Sequence, residues 1–193
     1  SEVEISVFYP TNEPGPDEYV LSPNDHPWEH VKESAKLVGA NVPTFIAKFI
    51  TSSLHFRKLN VNTNAPIISK TLLSRNKDEQ KFPAIVFSHG LASSRNSYAM
   101  YTREWASKGF IVVSVEHKTD EICPSSKKIE DFPVRNRDLK VRSKQLSKAF
   151  DFLYNADLLR TFFADHEVEI DKSNISAAGH SFGGATAIYT TQK

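Results

Sequence analysis

The chain has 193 residues, and its 24 Lys and Arg nearly balance its 23 Asp and Glu, which leaves a formal net charge of +1. This balance excludes a nucleic-acid-binding protein that relies on a strongly basic surface. No apolar run reaches the roughly 20 residues that a membrane-spanning helix needs. Because hydrophobic residues make up 39% of the chain, we expect one folded domain with a core rather than a disordered chain.

The sequence offers little to hold a metal or to form a disulfide. Cys123 is the single cysteine, so neither an internal disulfide nor a cysteine-based zinc site can form. Residues 26–30 spell the zinc pattern H-x-x-E-H, but that pattern needs a helix, and here it lies in a stretch broken by Pro23 and Pro27. We therefore expect no metal.

The first 80 residues contain two regular segments. Residues 3–9 roughly alternate between polar and apolar side chains, which predicts a half-buried strand. Apolar residues then recur at helical spacing, and they predict an amphipathic helix within 42–56. This stripe consists of Val42, Phe45, Ile46, Phe49 and Ile50. We interpret residues at about 20–80 as a lid or interfacial insertion, because this segment does not share the alternation of strands and helices found in the rest of the chain.

From residue 83 onward, short apolar runs alternate with segments of helical periodicity. Such an order predicts an α/β fold with a mostly parallel sheet and helices on both faces. We predict strands over 83–89, 110–116 and 175–179, and helices over 95–108, 135–154 and 182–193. The basic run at 135–148 is interpreted as a solvated helix face.

A nucleophile-elbow motif occupies residues 179–184, GHSFGG, and fits the pattern G-x-S-x-G. A serine on the sharp turn between a strand and a helix needs very small neighbours two positions away. The elbow residues are thus Gly179, His180 and Gly183, and Ser181 is the predicted nucleophile. The alternative is a tight turn with a structural role only.

A second motif, FSHGL at 87–91, ends the first predicted strand of the parallel sheet. An elbow hydrolase needs two backbone N–H groups to bind the oxyanion, one after the nucleophile and one from such a loop. We assign these two groups to Phe182 and Leu91. The alternative is a plain turn at the end of a strand.

The general acid and base are missing from the pattern. In elbow hydrolases an Asp or Glu and then a His follow the serine, but residues 182–193 contain neither. His117 ends a central strand and is a candidate for a substitute base, although a structural role is the favoured interpretation. The residues after Ser181 therefore cannot complete a triad in the usual order.

Taken together, four segments resemble the platelet-activating factor acetylhydrolases, calcium-independent phospholipases A2 with the α/β-hydrolase fold. The resemblance runs from residue 8 to the end and is weak over 57–82 and 119–134. The segments are FSHGLASSRNSY (87–98), ASKGFIVVSVEHK (106–118), RNRDLKVRSKQLSKAF (135–150) and GHSFGGATAI (179–188).

The resemblance implies a function and a site. Ser181 would attack the sn-2 ester of a phospholipid with a short or oxidised acyl group, and Leu91 and Phe182 would bind the oxyanion, with no cofactor and no metal. Family members are longer, so residues 1–193 would form a single incomplete α/β-hydrolase domain, truncated after the elbow. On its own, a sheet interrupted there is expected to be marginal or to aggregate.

The resemblance also gives the helix within 42–56 a role. It matches in position an interfacial helix of the family, so Phe45, Ile46, Phe49 and Ile50 would bind a membrane or lipoprotein surface peripherally. Periodicity alone favours a core-facing stripe. The cytoplasm and the outside of the cell both remain open as locations, as does the oligomeric state. The other functions considered are a different small-ester hydrolase and a non-catalytic protein that binds lipid surfaces.

Overall fold

The computed structural model assigns six strands and five helices to the residues that it describes. These residues are 2–13, 17–18, 28, 31–32, 35–36, 40–52, 59–68, 81–117, 132–164, 166 and 168–192. In chain order the elements are β1 (Ile5–Phe8), β2 (Asp17–Glu18), α1 (Thr44–Ser52), β3 (Leu59–Asn60), β4 (Phe82–Ser88), α2 (Ala99–Ser107), β5 (Ile111–Val115), α3 (Phe132–Tyr154), α4 (Ala156–Phe162), β6 (Ile170–Gly179) and α5 (Phe182–Thr191).

The main sheet has four strands in the order β1-β5-β4-β6. Strands β5 and β6 both run parallel to β4, whereas β1 is antiparallel to β5. The register pairs Ser88 with both Val115 and Gly179, so the carboxyl ends of the three parallel strands meet at one edge. β2 and β3 form a separate two-stranded sheet.

Helices cover both faces of the parallel strands, as the sequence predicts. Alternate residues of a strand point to opposite faces. Val86 and Val113 belong to a core cluster with Leu146 of α3 and Ala187 of α5. On the other face, the ring of Phe87 lies 5.8 Å from the indole of Trp105 in α2. This arrangement confirms the predicted α/β class.

No strand is predicted at the positions of β2 and β3, and two further elements, β6 and α4, differ from the sequence predictions. β6 begins at Ile170, whereas the sequence predicts a start at 175. The first half of β6 is polar and mostly exposed, so it contains no apolar run that would indicate a strand. α4 was not predicted. Its start is marked by Asn155, whose side chain accepts hydrogen bonds from the N–H groups of Asp157 and Leu158, as an N-cap does.

Helix α1 faces solvent with its apolar stripe. Phe45 is 73% exposed and Phe49 is 80% exposed, whereas Ala47 and Thr51 on the opposite side are buried. The core-facing alternative is therefore wrong. The assignment of one domain with an insertion at about 20–80 stays a prediction, and Cys123 lies outside the described residues.

Candidate active site

The turn between β6 and α5 holds Ser181 in a strained backbone conformation. Its φ is 54° and its ψ is −121°, a region that residues with a Cβ rarely adopt and that is often found at functional sites. The side chain is exposed, and it makes no capping hydrogen bond to the helix that follows. The strand, turn and helix thus present the Ser181 hydroxyl to solvent, as a nucleophile elbow does.

The glycines beside Ser181 are required by backbone contacts. A Cβ on Gly183 would overlap Ser88 O and lie 2.6 Å from His89 O, and a Cβ on Gly179 would overlap Gly183 O. No side chain fits into such spaces. The elbow therefore packs α5 directly against the end of β4, for the reason that the motif suggested.

The loop after β4 lies beside the elbow. The N–H of His180 donates to Ser88 O at 3.2 Å, and a Cβ on Gly90 would lie 3.3 Å from His180 Nδ1. The same His180 Nδ1 lies 2.7 Å from the Tyr98 hydroxyl. The predicted oxyanion loop and the predicted nucleophile are thus held together by contacts of backbone and side chain.

The two amides assigned to the oxyanion are those of Leu91 and Phe182. Within the described ranges, neither N–H group has a hydrogen-bond acceptor. The first N–H groups of a helix have no acceptor within it, and α5 begins at Phe182. Both amides can therefore donate to an anionic ligand, and their role in catalysis stays a prediction.

His89 is buried beside this loop and is held neutral. Its Nδ1–H donates to Gly90 O at 2.7 Å, and its Nε2 accepts the N–H of His117 at 3.1 Å. Burial lowers the pKa of His89 more than the nearby Glu116 raises it. With both ring nitrogens occupied, His89 is a structural residue of the loop and not a base for Ser181.

His117 is likewise occupied at both ring nitrogens. Its Nδ1 lies 2.8 Å from the side-chain oxygen of Gln145, and its Nε2 lies 2.8 Å from the Ser88 hydroxyl. An amide oxygen only accepts, so Nδ1 carries the proton and Nε2 accepts from Ser88. Burial, together with the Arg142 charge, lowers the pKa of His117 to about 2. The substitute-base interpretation is therefore wrong.

Among the described residues, no hydrogen bond joins Ser181 Oγ to a histidine. Within the described ranges, the predicted nucleophile Ser181 therefore lacks a histidine partner. No group of three or more His, Cys, Asp and Glu side chains in the described ranges is arranged to hold a metal ion. His26 and His30 of the H-x-x-E-H pattern lie outside those ranges.

The sequence motifs do not reveal Arg142. We interpreted residues 135–148 as a solvated helix face, but Arg142 is 0% exposed. Its Nη1–H donates to His89 O at 2.8 Å, and its guanidinium lies 5.1 Å from the centre of the Phe182 ring. The solvated interpretation is wrong for this residue, which lies beneath the predicted oxyanion loop.

A groove elsewhere in the molecule is separate from this site. It is lined by residues that include Tyr9, Ala65, Gly109 and Phe163, at the amino ends of β4 and β5. None of its lining residues belongs to the elbow or to the loop at 88–91.

Comparison with known proteins identifies the family. The sequence model of the family described as "Platelet-activating factor acetylhydrolase, isoform II" matches residues 3–131, about two thirds of the chain. The chain belongs to this family. The resemblance inferred from the motifs is thereby confirmed.

Individual acetylhydrolases agree with this assignment. A platelet-activating factor acetylhydrolase of Cavia porcellus is 27% identical over 215 residues, covering 96% of this chain and 46% of that protein. One of Bos taurus is 32% identical over 142 residues, covering 58% of this chain and 32% of that protein. This chain thus spans about half, or less, of the length of the acetylhydrolases that it matches.

A solved structure supports the fold. The ferulic acid esterase from Streptomyces cinnamoneus matches with a TM-score of 0.59 and 20% sequence identity, covering 98% of this chain and 48% of that chain. At this identity the likeness concerns the fold alone. It agrees with the predicted α/β-hydrolase fold.

Proposed function

We propose that this chain carries the nucleophile and the oxyanion-binding amides of a serine esterase. The substrate would be a platelet-activating-factor-like phospholipid with an acetyl, short or oxidised acyl group at sn-2. The observation that carries the proposal is the strained backbone of Ser181 (φ 54°) between β6 and α5. Family membership supports the lipid ester as substrate, because the matched relatives are named acetylhydrolases.

The reaction would proceed by acyl transfer. Ser181 Oγ attacks the ester carbonyl and loses its proton to a general base that is not His89 or His117. The oxyanion accepts hydrogen bonds from the N–H groups of Leu91 and Phe182, and the positive end of the α5 dipole adds to its stabilisation. The lysophospholipid alcohol leaves with a proton. Water then cleaves the acyl-serine, which releases the carboxylic acid and restores Ser181. No metal or cofactor takes part.

We also propose peripheral binding to a membrane or lipoprotein surface through α1. Four apolar side chains are exposed on this nine-residue helix, and a helix of this kind can insert its apolar face into a lipid interface. They are Phe45, Ile46, Phe49 and Ile50. None of the helices described here has both the length and the apolar character needed to cross a bilayer.

Substrate selection tests the esterase proposal. In the presence of EDTA, we expect the protein to hydrolyse an sn-2 acetyl glycerophosphocholine faster than the same lipid with a long sn-2 chain or than a simple acetate ester. A preference for the simple ester would favour a different small-ester hydrolase. A folded protein that hydrolyses none of the three substrates would contradict the proposal.

One observation favours a second candidate. The exposed apolar side chains of α1 can bind a lipid surface whether or not Ser181 is active, as in a protein that binds lipid surfaces without turnover. Binding to phosphatidylcholine vesicles in the absence of any hydrolysis, with an unchanged affinity in Ser181→Ala, would support this candidate.

A further inference from the structure

Arg142 reaches from α3 to the backbone of the loop that follows β4. It is fully buried, and its guanidinium donates to His89 O at 2.8 Å and, over a longer 3.5 Å, to Gly90 O. On another side it lies 5.1 Å from the centre of the Phe182 ring. A single side chain thus contacts both segments that carry the proposed oxyanion amides.

The contact with Gly90 controls the direction of the Leu91 amide. The C=O of Gly90 and the N–H of Leu91 belong to the same planar trans peptide, so they point in opposite directions. Gly90 O is held by His89 Nδ1 at 2.7 Å as well as by Arg142. Because glycine allows many backbone conformations, these two donors prevent rotation of that peptide and keep the Leu91 N–H pointing away from Arg142.

Contacts with Arg142 on the elbow side complete the arrangement. The planar guanidinium of Arg142 suits a cation–π contact with the Phe182 ring. The main chain of Phe182 supplies the second proposed oxyanion amide. Gly183, the next residue, packs against Ser88 O and His89 O. His89 O, which accepts the shorter hydrogen bond from Arg142, is therefore also part of the surface against which the start of α5 packs.

We propose that Arg142 is a positioning residue that orients the Leu91 and Phe182 amides toward the same oxyanion. The proposal rests on the proposed function, because it assigns a role within that same site. Arg142 acts through the loop and the elbow, and it does not touch the substrate itself.

Stability alone gives a poor account of this side chain. Burying a guanidinium is costly, and within the described residues Arg142 Nε is buried without a hydrogen-bond partner. Burial lowers the pKa of Arg142 only to about 10, so the group remains charged at neutral pH. Its hydrogen bonds to the two carbonyls are consequently charge-assisted, and such bonds are stronger than neutral ones.

The test compares Arg142→Lys and Arg142→Gln with the wild-type protein and with Arg135→Lys as a matched control. Arg135 lies two turns away on the same helix and donates to Asp138 at 2.9 Å, so its replacement disturbs the same group of charges. For calcium-free hydrolysis of an sn-2 acetyl phospholipid, we expect kcat to fall about 10- to 100-fold in the Arg142 variants. KM should stay within about threefold, since only the transition state carries the oxyanion.

A second readout separates positioning from folding. A trifluoromethyl ketone analogue forms a tetrahedral oxyanion, so its affinity should fall in parallel with kcat/KM, whereas the affinity for a non-reacting ether lipid should not change. Melting temperatures check that each variant is folded. If Arg142→Gln does not fold, Arg142→Lys decides, because it keeps the buried charge but loses the planar fork.

Three results would overturn the proposal. These are an unchanged kcat in a folded Arg142→Lys protein, an increase in KM alone, and an equal loss of kcat in Arg135→Lys. Ser181→Ala distinguishes this failure from failure of the proposed function. If Ser181→Ala remains fully active, the esterase assignment and the Arg142 role both fall, whereas an inactive Ser181→Ala beside an unaffected Arg142→Lys removes the Arg142 role alone.

Discussion

Gly183 shows why the elbow tolerates so little change. We expect Gly183→Ala to lower the free energy of unfolding by at least about 2 kcal/mol, because its Cβ would collide with the Ser88 and His89 carbonyls. Gly184→Ala is the matched control, since a Cβ there would come no nearer than 3.4 Å to Gly179 O. Urea denaturation measures both variants, and equal losses for the two would contradict this account.

Because His117 is buried and neutral, we expect the folded protein to become less stable in acid. It stays neutral in the folded protein, with a pKa lowered from 6.5 to about 2, but it binds a proton below pH 6.5 when unfolded. Stability should therefore fall as pH drops from about 6.5, by up to about 1.4 kcal/mol per pH unit. Its neighbour His89 has a lowered pKa as well and adds to the same trend.

His117→Gln tests this prediction by urea denaturation at pH 7.5 and pH 5. The variant should be less stable than wild type at pH 7.5 and should lose less stability on acidification. His89 remains in the variant, so part of the pH dependence should persist. The same loss of stability on acidification in both proteins would contradict the prediction.

The sequence indicates the roles of some residues more clearly than those of others. Ser181 was predictable because the close approach of two backbones demands glycine on either side. Arg142 was not predicted, since a charged residue in a basic run is usually solvated. A signal was nevertheless present: Arg142 stands at helical spacing from Leu146, Ala149 and Leu153, which form the buried face of α3.

The exposed apolar stripe of helix α1 is expected to bind lipid surfaces. Phe45 and Phe49 are both largely exposed, so Phe45→Asp combined with Phe49→Asp should weaken partitioning to phosphatidylcholine vesicles at least about tenfold without changing the melting temperature. Met100→Asp combined with Tyr101→Asp is the control on α2, where both side chains are about as exposed. Equal effects of the two double variants would contradict a specific role for α1.

The sequence predicts a strand well where the side chains on both of its faces are buried. The strands β4 and β5 are short apolar runs because helices cover both faces. The polar first half of β6 carried no such signal, since most of its side chains face solvent. The orientation of the α1 stripe was equally hidden, because an amphipathic spacing does not state whether its apolar side meets a core or a lipid surface.

We expect the 193-residue chain on its own to self-associate through the edge of its main sheet. Among the described strands, β6 pairs only with β4, and such an edge can recruit another chain. Leu158, Phe162 and Ile188 add exposed apolar surface. We expect oligomers or aggregates by light scattering at micromolar concentration, and fewer of them in Ile188→Lys. A soluble monomer with a cooperative melt would contradict this expectation.

Ser181 is the proposed nucleophile of a phospholipid esterase. The most direct measurement is acetate release from platelet-activating factor, in EDTA, by the protein that carries this chain beside its Ser181→Ala variant. We expect release by the wild type and a loss of at least about 10³-fold in a folded Ser181→Ala protein. Undiminished release by that variant would contradict the proposed role of Ser181.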